Sequence, residues 1–177
     1  MNRLVLNNNS LAGSDPALYF LQESGEPLRL DYKKAHYGPY ADNLRHVLNV
    51  IEGHFVMGYA DGGDDPQKTI ELIPGAHEDA ESFLKTEKQT IANFEKVSRL
   101  VDGFETPFGL ELLATVHWVV VHEGAKSEED IVQKIYDWSD KKKLFTLRQI
   151  LIATKALCKH GWINNKFCYD EGNLQLA

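Results

Sequence analysis

Apolar residues recur at helical spacing along most of the chain, and glycines, prolines and capping side chains separate one run from the next. The pattern predicts helices over residues 17–23, 40–51, 78–101, 108–122, 128–138 and 147–160. Because the helix over residues 108–122 is apolar nearly all round, we expect it at the centre of the core.

Strand-forming residues are confined to short stretches. Residues 54–59 and 69–73 lie on either side of an acidic, turn-forming segment, which predicts a β-hairpin. Residues 28–32 alternate between apolar and polar, which predicts a short strand. The expected fold class is mainly α (α+β), with about six helices around a central hydrophobic helix and one small β-hairpin, winged-helix-like at most.

The length of 177 residues fits one domain. We expect a single helical domain over residues 18–163, after an N-terminal segment of residues 1–17 and before a C-terminal tail of residues 164–177. Residues 1–9 lack the apolar run of a signal peptide, and two cysteines make no disulfide framework. These features predict a reduced, cytoplasmic protein without membrane contact, in which Cys158 is a buried thiol.

Charge is distributed unevenly. Residues 42–81 hold nine acidic and two basic side chains, so this segment alone carries a charge of −7, equal to the net charge of the chain. Residues 141–166 hold seven bases and no acid. Such polarity can orient a protein against a charged partner, and it is equally typical of two solvated faces.

Residues 36–46 combine tyrosine, histidine, asparagine and arginine at a predicted helix start, which is chemistry typical of protein interfaces. Packing of the helix start by these tyrosines is the alternative explanation. With the acidic segment that follows, the candidate partner-binding residues are Tyr37, Tyr40, Asp42, Asn43, Arg45, His46, Glu52, His54, Tyr59, Asp61, Asp64 and Asp65.

Catalytic and metal-binding motifs are absent from the sequence: it contains no glycine-rich phosphate loop, nucleophile elbow or zinc-protease motif. We therefore expect no catalytic residues, no cofactor and no metal site. Glu105, Glu111 and His117 are the residue types that could do acid–base work, but hydrogen-bonded polar groups at the core edge explain Glu111 and His117 better.

Four segments resemble a known family. They are YFLQESGEPLRL (19–30), KAHYGPYADNLRHVL (34–48), EGHF (52–55) and GFETPFGLELLATVHW (103–118). They are similar to the C-terminal region of the DarG antitoxins of DarT–DarG toxin–antitoxin systems. The similarity covers residues 18–162.

The resemblance implies a function. DarT is an NAD-dependent ADP-ribosyltransferase that modifies single-stranded DNA, and DarG combines a macrodomain that removes ADP-ribose with a C-terminal domain that binds the toxin. Because 177 residues are too few for both parts, we expect a toxin-binding antitoxin domain that is not itself an enzyme. The expected partner is a DarT-like toxin, bound by a monomer in a heterodimer that blocks its DNA site, without direct contact to nucleic acid.

Two alternatives from other classes stay open. One is a hydrolase acting on ADP-ribosylated nucleic acid, with Glu111 or Glu105 as the base. The other is a winged-helix-like DNA-binding regulator that uses the hairpin as its wing.

Overall fold

The computed structural model describes residues 15–58 and 71–167. The chain divides into two compact units, residues 1–98 and 99–177, and each is described by itself. Helices dominate the described residues and the strands form small antiparallel hairpins, so the predicted mainly helical fold class is confirmed.

Unit 1 alternates helices with short hairpins. Its elements are α1 (Pro16–Glu23), β1 (Tyr32–Ala35), β2 (Gly38–Ala41), α2 (Leu44–Ile51), β3 (Val56–Met57), β4 (Glu71–Leu72), α3 (Ala76–Leu84) and most of α4 (Lys88–Val101). Its buried residues include Leu30, Ala41, Leu44 and Leu48, which form one hydrophobic cluster.

Helix α1 begins as predicted. The side chain of Asp15 accepts hydrogen bonds from the backbone N–H groups of Ala17 and Leu18, and Pro16 occupies the first helical position. Tyr19 and Phe20 on this helix are fully buried, with ring centroids 5.3 Å apart in an edge-to-face arrangement. The helix is therefore fixed at its start by a cap and along its length by core aromatics.

A hairpin that the sequence did not predict precedes α2. Strands β1 and β2 pair antiparallel, with Lys33 opposite Tyr40 and Ala35 opposite Gly38. The predicted helix start at residue 40 is therefore wrong, because residues 38–41 are a strand and α2 begins only at Leu44. Gly38 has a φ of 132°, which suits glycine at the end of a two-residue turn.

The strand expected over residues 28–32 is also displaced. The amide of Leu30 donates to Gln22 Oε1 (2.7 Å), and its carbonyl accepts from Gln22 Nε2 (2.8 Å). A side chain of α1 therefore satisfies the backbone groups that a ladder would use. Arg29 has a left-handed φ of 57°, and regular pairing starts at Tyr32.

The hairpin expected after α2 is confirmed where the structure describes it. Val56 pairs with Leu72 and Met57 with Glu71. Its intervening residues, 59–70, lie outside the described residues.

The long helix expected over residues 78–101 is two helices, α3 and α4. The backbone amides of Thr86 and Glu87 donate to the carbonyls three residues back, those of Phe83 and Leu84, and a new helical hydrogen bond from Ile91 to Glu87 starts α4. This tighter turn separates the two helices.

Unit 2 is helical in its described part. Its elements are the end of α4, α5 (Pro107–Val121), α6 (Glu128–Trp138), a 3₁₀ helix (Asp140–Leu144), α7 (Leu147–Lys159) and a second 3₁₀ helix (Asn165–Phe167). Helix α5 packs against both α6 and α7, as expected for the most apolar helix.

Side-chain caps begin each of the three α-helices of unit 2 as the sequence predicts. Thr106 accepts from Gly109 N and Ser127 from Asp130 N, and Thr146 with Gln149 forms a reciprocal capping box. None of the helices described here combines the length and apolar character needed to cross a bilayer.

Candidate functional site

The two candidate tyrosines lie on the β1–β2 hairpin of unit 1. Tyr37 is in the turn, 58% exposed, with its ring edge-to-face against His36 at 4.9 Å. Tyr40 is half-buried on β2 and not on a helix as expected. The hairpin therefore presents Tyr37, and not Tyr40, most fully to solvent.

Two of the polar candidates make contacts beside the β1–β2 hairpin. Asp42 forms an exposed ion pair with Lys33 across the hairpin. The side chain of Asn43 accepts from the Asp31 amide (3.0 Å) and donates to the Arg29 carbonyl (2.8 Å), so it holds the loop before β1 against the start of α2.

The remaining described candidates follow along α2 and its end. Arg45, His46 and His54 are exposed, whereas Glu52 is half-buried and accepts a hydrogen bond from the Gly58 amide (2.9 Å). The last four candidates lie outside the described residues; they are Tyr59, Asp61, Asp64 and Asp65.

Sequence reasoning missed an apolar set on the same unit. Five large apolar side chains are 40–61% exposed along α2, β3 and β4, and we call them the unit 1 apolar set. They are Val47, Val50, Phe55, Met57 and Leu72. Val47 is among them, although its helical spacing from Leu44 and Leu48 predicts a buried position. A contiguous patch of exposed apolar side chains is typical of surfaces that a protein partner covers.

Unit 2 contains a compact polar cluster between α5 and the first 3₁₀ helix. The ammonium group of Lys142 donates to Glu111 Oε1 and to Thr115 Oγ1, both at 2.8 Å, and Lys141 donates to Glu111 Oε2 at 3.2 Å. Lys142 is fully buried, and the side chain of Glu111 is 17% exposed. Because Lys141 and Lys142 both pair with Glu111, the run of three lysines at residues 141–143 is more than a solvated helix end.

Burial determines the protonation behaviour of this cluster. Desolvation lowers the pKa of Lys142 below its ordinary value, and the hydrogen bond and charge of Glu111 oppose that shift. Its ammonium also lies 5.4 Å from the ring centroid of Trp138 and 5.2 Å from that of Phe145. The carboxylate and the two aromatic rings favour the charged form and so offset part of the desolvation cost.

The other candidate acid–base residues differ in their access to solvent. Glu105 is exposed in the turn before α5, and hydrogen bonds from its own amide and that of Gly103 lower the pKa of its carboxyl group. His117 is buried on α5, with its ring 6.0 Å from that of Trp162. Of the two glutamates, Glu105 is the more exposed to solvent.

No group of three His, Cys, Asp or Glu side chains in the described residues is arranged to hold a metal ion. Cys158 is 3% exposed on α7 and is disulfide-bonded. The expected thiol at this position is therefore wrong.

The described residues define a mainly helical protein with an exposed tyrosine, an exposed apolar set and a buried lysine–glutamate cluster. Comparison with curated proteins then identifies relatives. The chain is 41% identical over 143 residues, 81% of its length, to a protein of Thermus aquaticus (strain ATCC BAA-2747 / Y51MC23) named DNA ADP-ribosyl glycohydrolase. It is 34% identical over 130 residues, 71% of its length, to proteins of that name from Mycobacterium tuberculosis (strain ATCC 25618 / H37Rv) and Mycobacterium bovis (strain BCG / Pasteur 1173P2).

These matches establish a relation to DarG-like proteins. The chain spans 39% of the Thermus aquaticus protein and 37% of each mycobacterial one. No family model matches the chain.

The relatives correct one expectation. The sequence had predicted a protein that is not an enzyme, and this prediction is wrong, because each of the three relatives is named for an enzyme activity. The prediction depended on the absence of short catalytic motifs and on the resemblance to a toxin-binding region, and glycoside-bond hydrolysis by positioned carboxylates needs no such motif.

Proposed function

We propose that this chain acts in the hydrolysis of the bond between ADP-ribose and DNA. The observation that carries the proposal is the 41% identity over 143 residues to a protein named for that activity. The chemistry requires water to be activated and directed at the sugar carbon of the bond that breaks, which a carboxylate can do as a general base.

Glu105 suits that role better than Glu111. A general base must come within hydrogen-bond distance of water, and Glu105 is exposed at the N-terminal end of α5. The lowered pKa of Glu105 makes it a weaker base than an ordinary glutamate, so its access to water is what favours it over Glu111. Both carboxylate oxygens of Glu111 accept from lysine ammonium groups, which leaves less capacity for water.

The direct test is incubation of the purified chain with ADP-ribosylated single-stranded DNA, with released ADP-ribose measured by chromatography. We expect release proportional to protein concentration, and a roughly 100-fold slower release by Glu105→Gln, the loss typical of a general base. Asp102→Asn, at an exposed acid nearby, is the matched control and should keep the wild-type rate. Absence of release by the wild-type chain would contradict the proposal.

A second candidate function is favoured by the unit 1 apolar set. The five exposed apolar side chains lie on the same unit as Tyr37, Arg45 and the acidic segment, a combination typical of a protein-binding surface. The resemblance supplies the partner, a DarT-like toxin, with which this surface would make a heterodimer that covers the toxin's DNA site.

Paired substitutions test this binding. Val50→Ser with Leu72→Ser should weaken toxin binding at least tenfold, measured by calorimetry, because full burial of a valine or leucine side chain contributes about 1.5–3 kcal/mol. The control pair, Leu144→Ser with Leu147→Ser, removes equally exposed leucines from unit 2. Equal effects of the two pairs would reject unit 1 as the binding surface.

A further inference from the structure

Helix α7 carries a row of bases along one face. Arg148, Lys155 and Lys159 are spaced by seven and four residues, which places them on the same side of the helix. Arg148 and Lys159 are exposed and Lys155 is half-buried, with the exposed side chain of Ile152 between them. We call these three residues the α7 basic stripe.

The opposite face of α7 is buried. Ile150, Ala153 and Leu157 are fully buried, and α7 packs against α5 and α6. The helix is therefore held by its apolar face, and the stripe points away from the unit. At 1.5 Å per residue, Arg148 and Lys159 are about 16 Å apart along the helix axis.

Several other bases of unit 2 have a neutralising acidic partner. Lys143 pairs with Asp140, Lys134 with Asp130, and Lys142 with Glu111. Within the described part of the chain, the stripe residues form no ion pair with an acid. Residues 141–166 contain no acidic residue. The strongly acidic segment of residues 42–81 belongs to unit 1, so it is not part of the unit that carries the stripe.

We propose that the α7 basic stripe binds the sugar–phosphate backbone of DNA. Three cations in a row, none of them ion-paired within the described residues, suit a polyanion, whose phosphates are contacted without base recognition. The choice of DNA rests on the proposed function, since the relatives are named for an activity on DNA. A membrane fits less well, because an interfacial helix inserts its apolar face and that of α7 is buried.

The salt dependence of binding gives a quantitative expectation. Three phosphate contacts predict a slope of log K against log salt concentration of about −2 on single-stranded DNA and about −3 on duplex DNA. Fluorescence anisotropy with a labelled oligonucleotide, on the whole chain at low ionic strength, measures both.

The test variant is Arg148→Gln with Lys155→Gln and Lys159→Gln. We expect at least tenfold weaker DNA binding and a slope close to zero, because each lost phosphate contact reduces the slope by about one. The control variant, Lys126→Gln with Lys134→Gln and Lys143→Gln, removes the same charge from bases elsewhere on unit 2. It should keep the wild-type slope, and circular dichroism verifies that both variants are folded.

Three outcomes would overturn the proposal. The first is an equal loss of DNA binding in both variants, which would reflect net charge alone. The second is no DNA binding by the wild-type chain, and the third is tighter binding of polyglutamate or of phosphatidylserine vesicles than of DNA. Binding is measured on unmodified DNA, where no hydrolysis occurs. A negative result for DNA binding by the stripe therefore does not bear on the ADP-ribose release assay. A negative result in the release assay likewise does not bear on the DNA-binding measurement.

Discussion

At the scale of single residues, the most unusual group is the buried ammonium of Lys142. Its partners are one carboxylate and one hydroxyl, and that hydroxyl, on Thr115, also donates to the Glu111 carbonyl at 2.7 Å. Removal of Glu111 would leave a buried charge without its counterion, whereas removal of the lysine would leave a carboxylate still paired with Lys141. The two changes should therefore have unequal effects on stability.

We expect Glu111→Gln to destabilise the protein by about 3 kcal/mol, and Lys142→Met, which fills a similar volume, to change stability by less than about 1 kcal/mol at neutral pH. Urea denaturation followed by circular dichroism measures both. A larger loss from the lysine substitution than from the glutamine substitution would show that the ion pair itself stabilises the fold.

The pH dependence of Lys142 follows from its lowered pKa. Between that pKa and the ordinary value of 10.5, the unfolded chain binds more protons than the folded one, so the contribution of this group to stability rises with pH. Wild-type protein should therefore gain stability relative to Lys142→Met as pH increases toward 10.5. Denaturation of both proteins between pH 7 and about pH 10 checks this, and a difference that falls with pH would contradict it.

Gly109 lies so close to the backbone of Phe104 that a side chain there would clash with it. A Cβ atom there would lie 2.8 Å from the Phe104 carbonyl oxygen and 3.1 Å from the Phe104 carbonyl carbon. Alanine normally stabilises a helix by about 1 kcal/mol relative to glycine. Here we expect Gly109→Ala to destabilise by about 1–3 kcal/mol, because the main chain must shift.

Thermal denaturation measures the effect of the Gly109 substitution. Ser98→Ala, at an exposed position of α4, provides the control and should be neutral or slightly stabilising. Stabilisation by Gly109→Ala would show that residues 104–109 are not packed as described.

At the scale of elements, helix starts were the most predictable features. The caps at Asp15, Thr106, Ser127 and Thr146 are local in sequence, and each forms as predicted. Asp15 differs from the others because burial raises the pKa of its carboxyl group, while hydrogen bonds from Ala17 and Leu18 oppose that effect.

Asp15 therefore yields a prediction with a definite sign. Because the folded pKa is raised, its favourable contribution is fully present below about pH 3.8 and is lost as pH rises through the folded value. Asp15→Asn should thus be less stable relative to wild type at pH 3 than at pH 7. Asp15→Ala should cost about 1 kcal/mol at pH 7 through loss of the cap. Thermal denaturation at both pH values tests the pair.

Strand positions were less predictable than helix starts. Residues 28–32 have the alternation of a strand, yet Gln22 from α1 satisfies the backbone groups of Leu30. Residues 38–41 continue the apolar pattern of α2, yet they pair with β1. In both places hydrogen bonds to a neighbouring segment decided the conformation, and the apolar pattern of the segment itself cannot show them.

At the scale of the whole molecule, the charge blocks belong to different units. Residues 42–81 lie in unit 1 and residues 141–166 in unit 2. We therefore propose separate partners for them, a cationic protein for the acidic block and DNA for the basic residues of α7.

The acidic block provides a prediction for toxin binding. Asp61→Lys with Asp64→Lys and Asp65→Lys should weaken binding of a DarT-like toxin and make it less sensitive to salt, because fewer charges would attract the partner. Surface plasmon resonance at two salt concentrations measures both effects. Reversal of Glu95, Asp102 and Asp137, which lie outside the block, is the matched control. Unchanged binding by the first variant would reject electrostatic steering.

The sequence by itself determined the mainly helical class, the capped helix starts, the apolar character of α5 and the relation to DarG-like proteins. These properties depend on spacing and on residue types that are neighbours along the chain. Only the tertiary structure decided which lysine is buried, that Asn43 holds a loop, that Val47 is exposed and that residues 38–41 form a strand. Each of these depends on how separate segments pack and pair with one another, and the free energies of those contacts outweigh local preference.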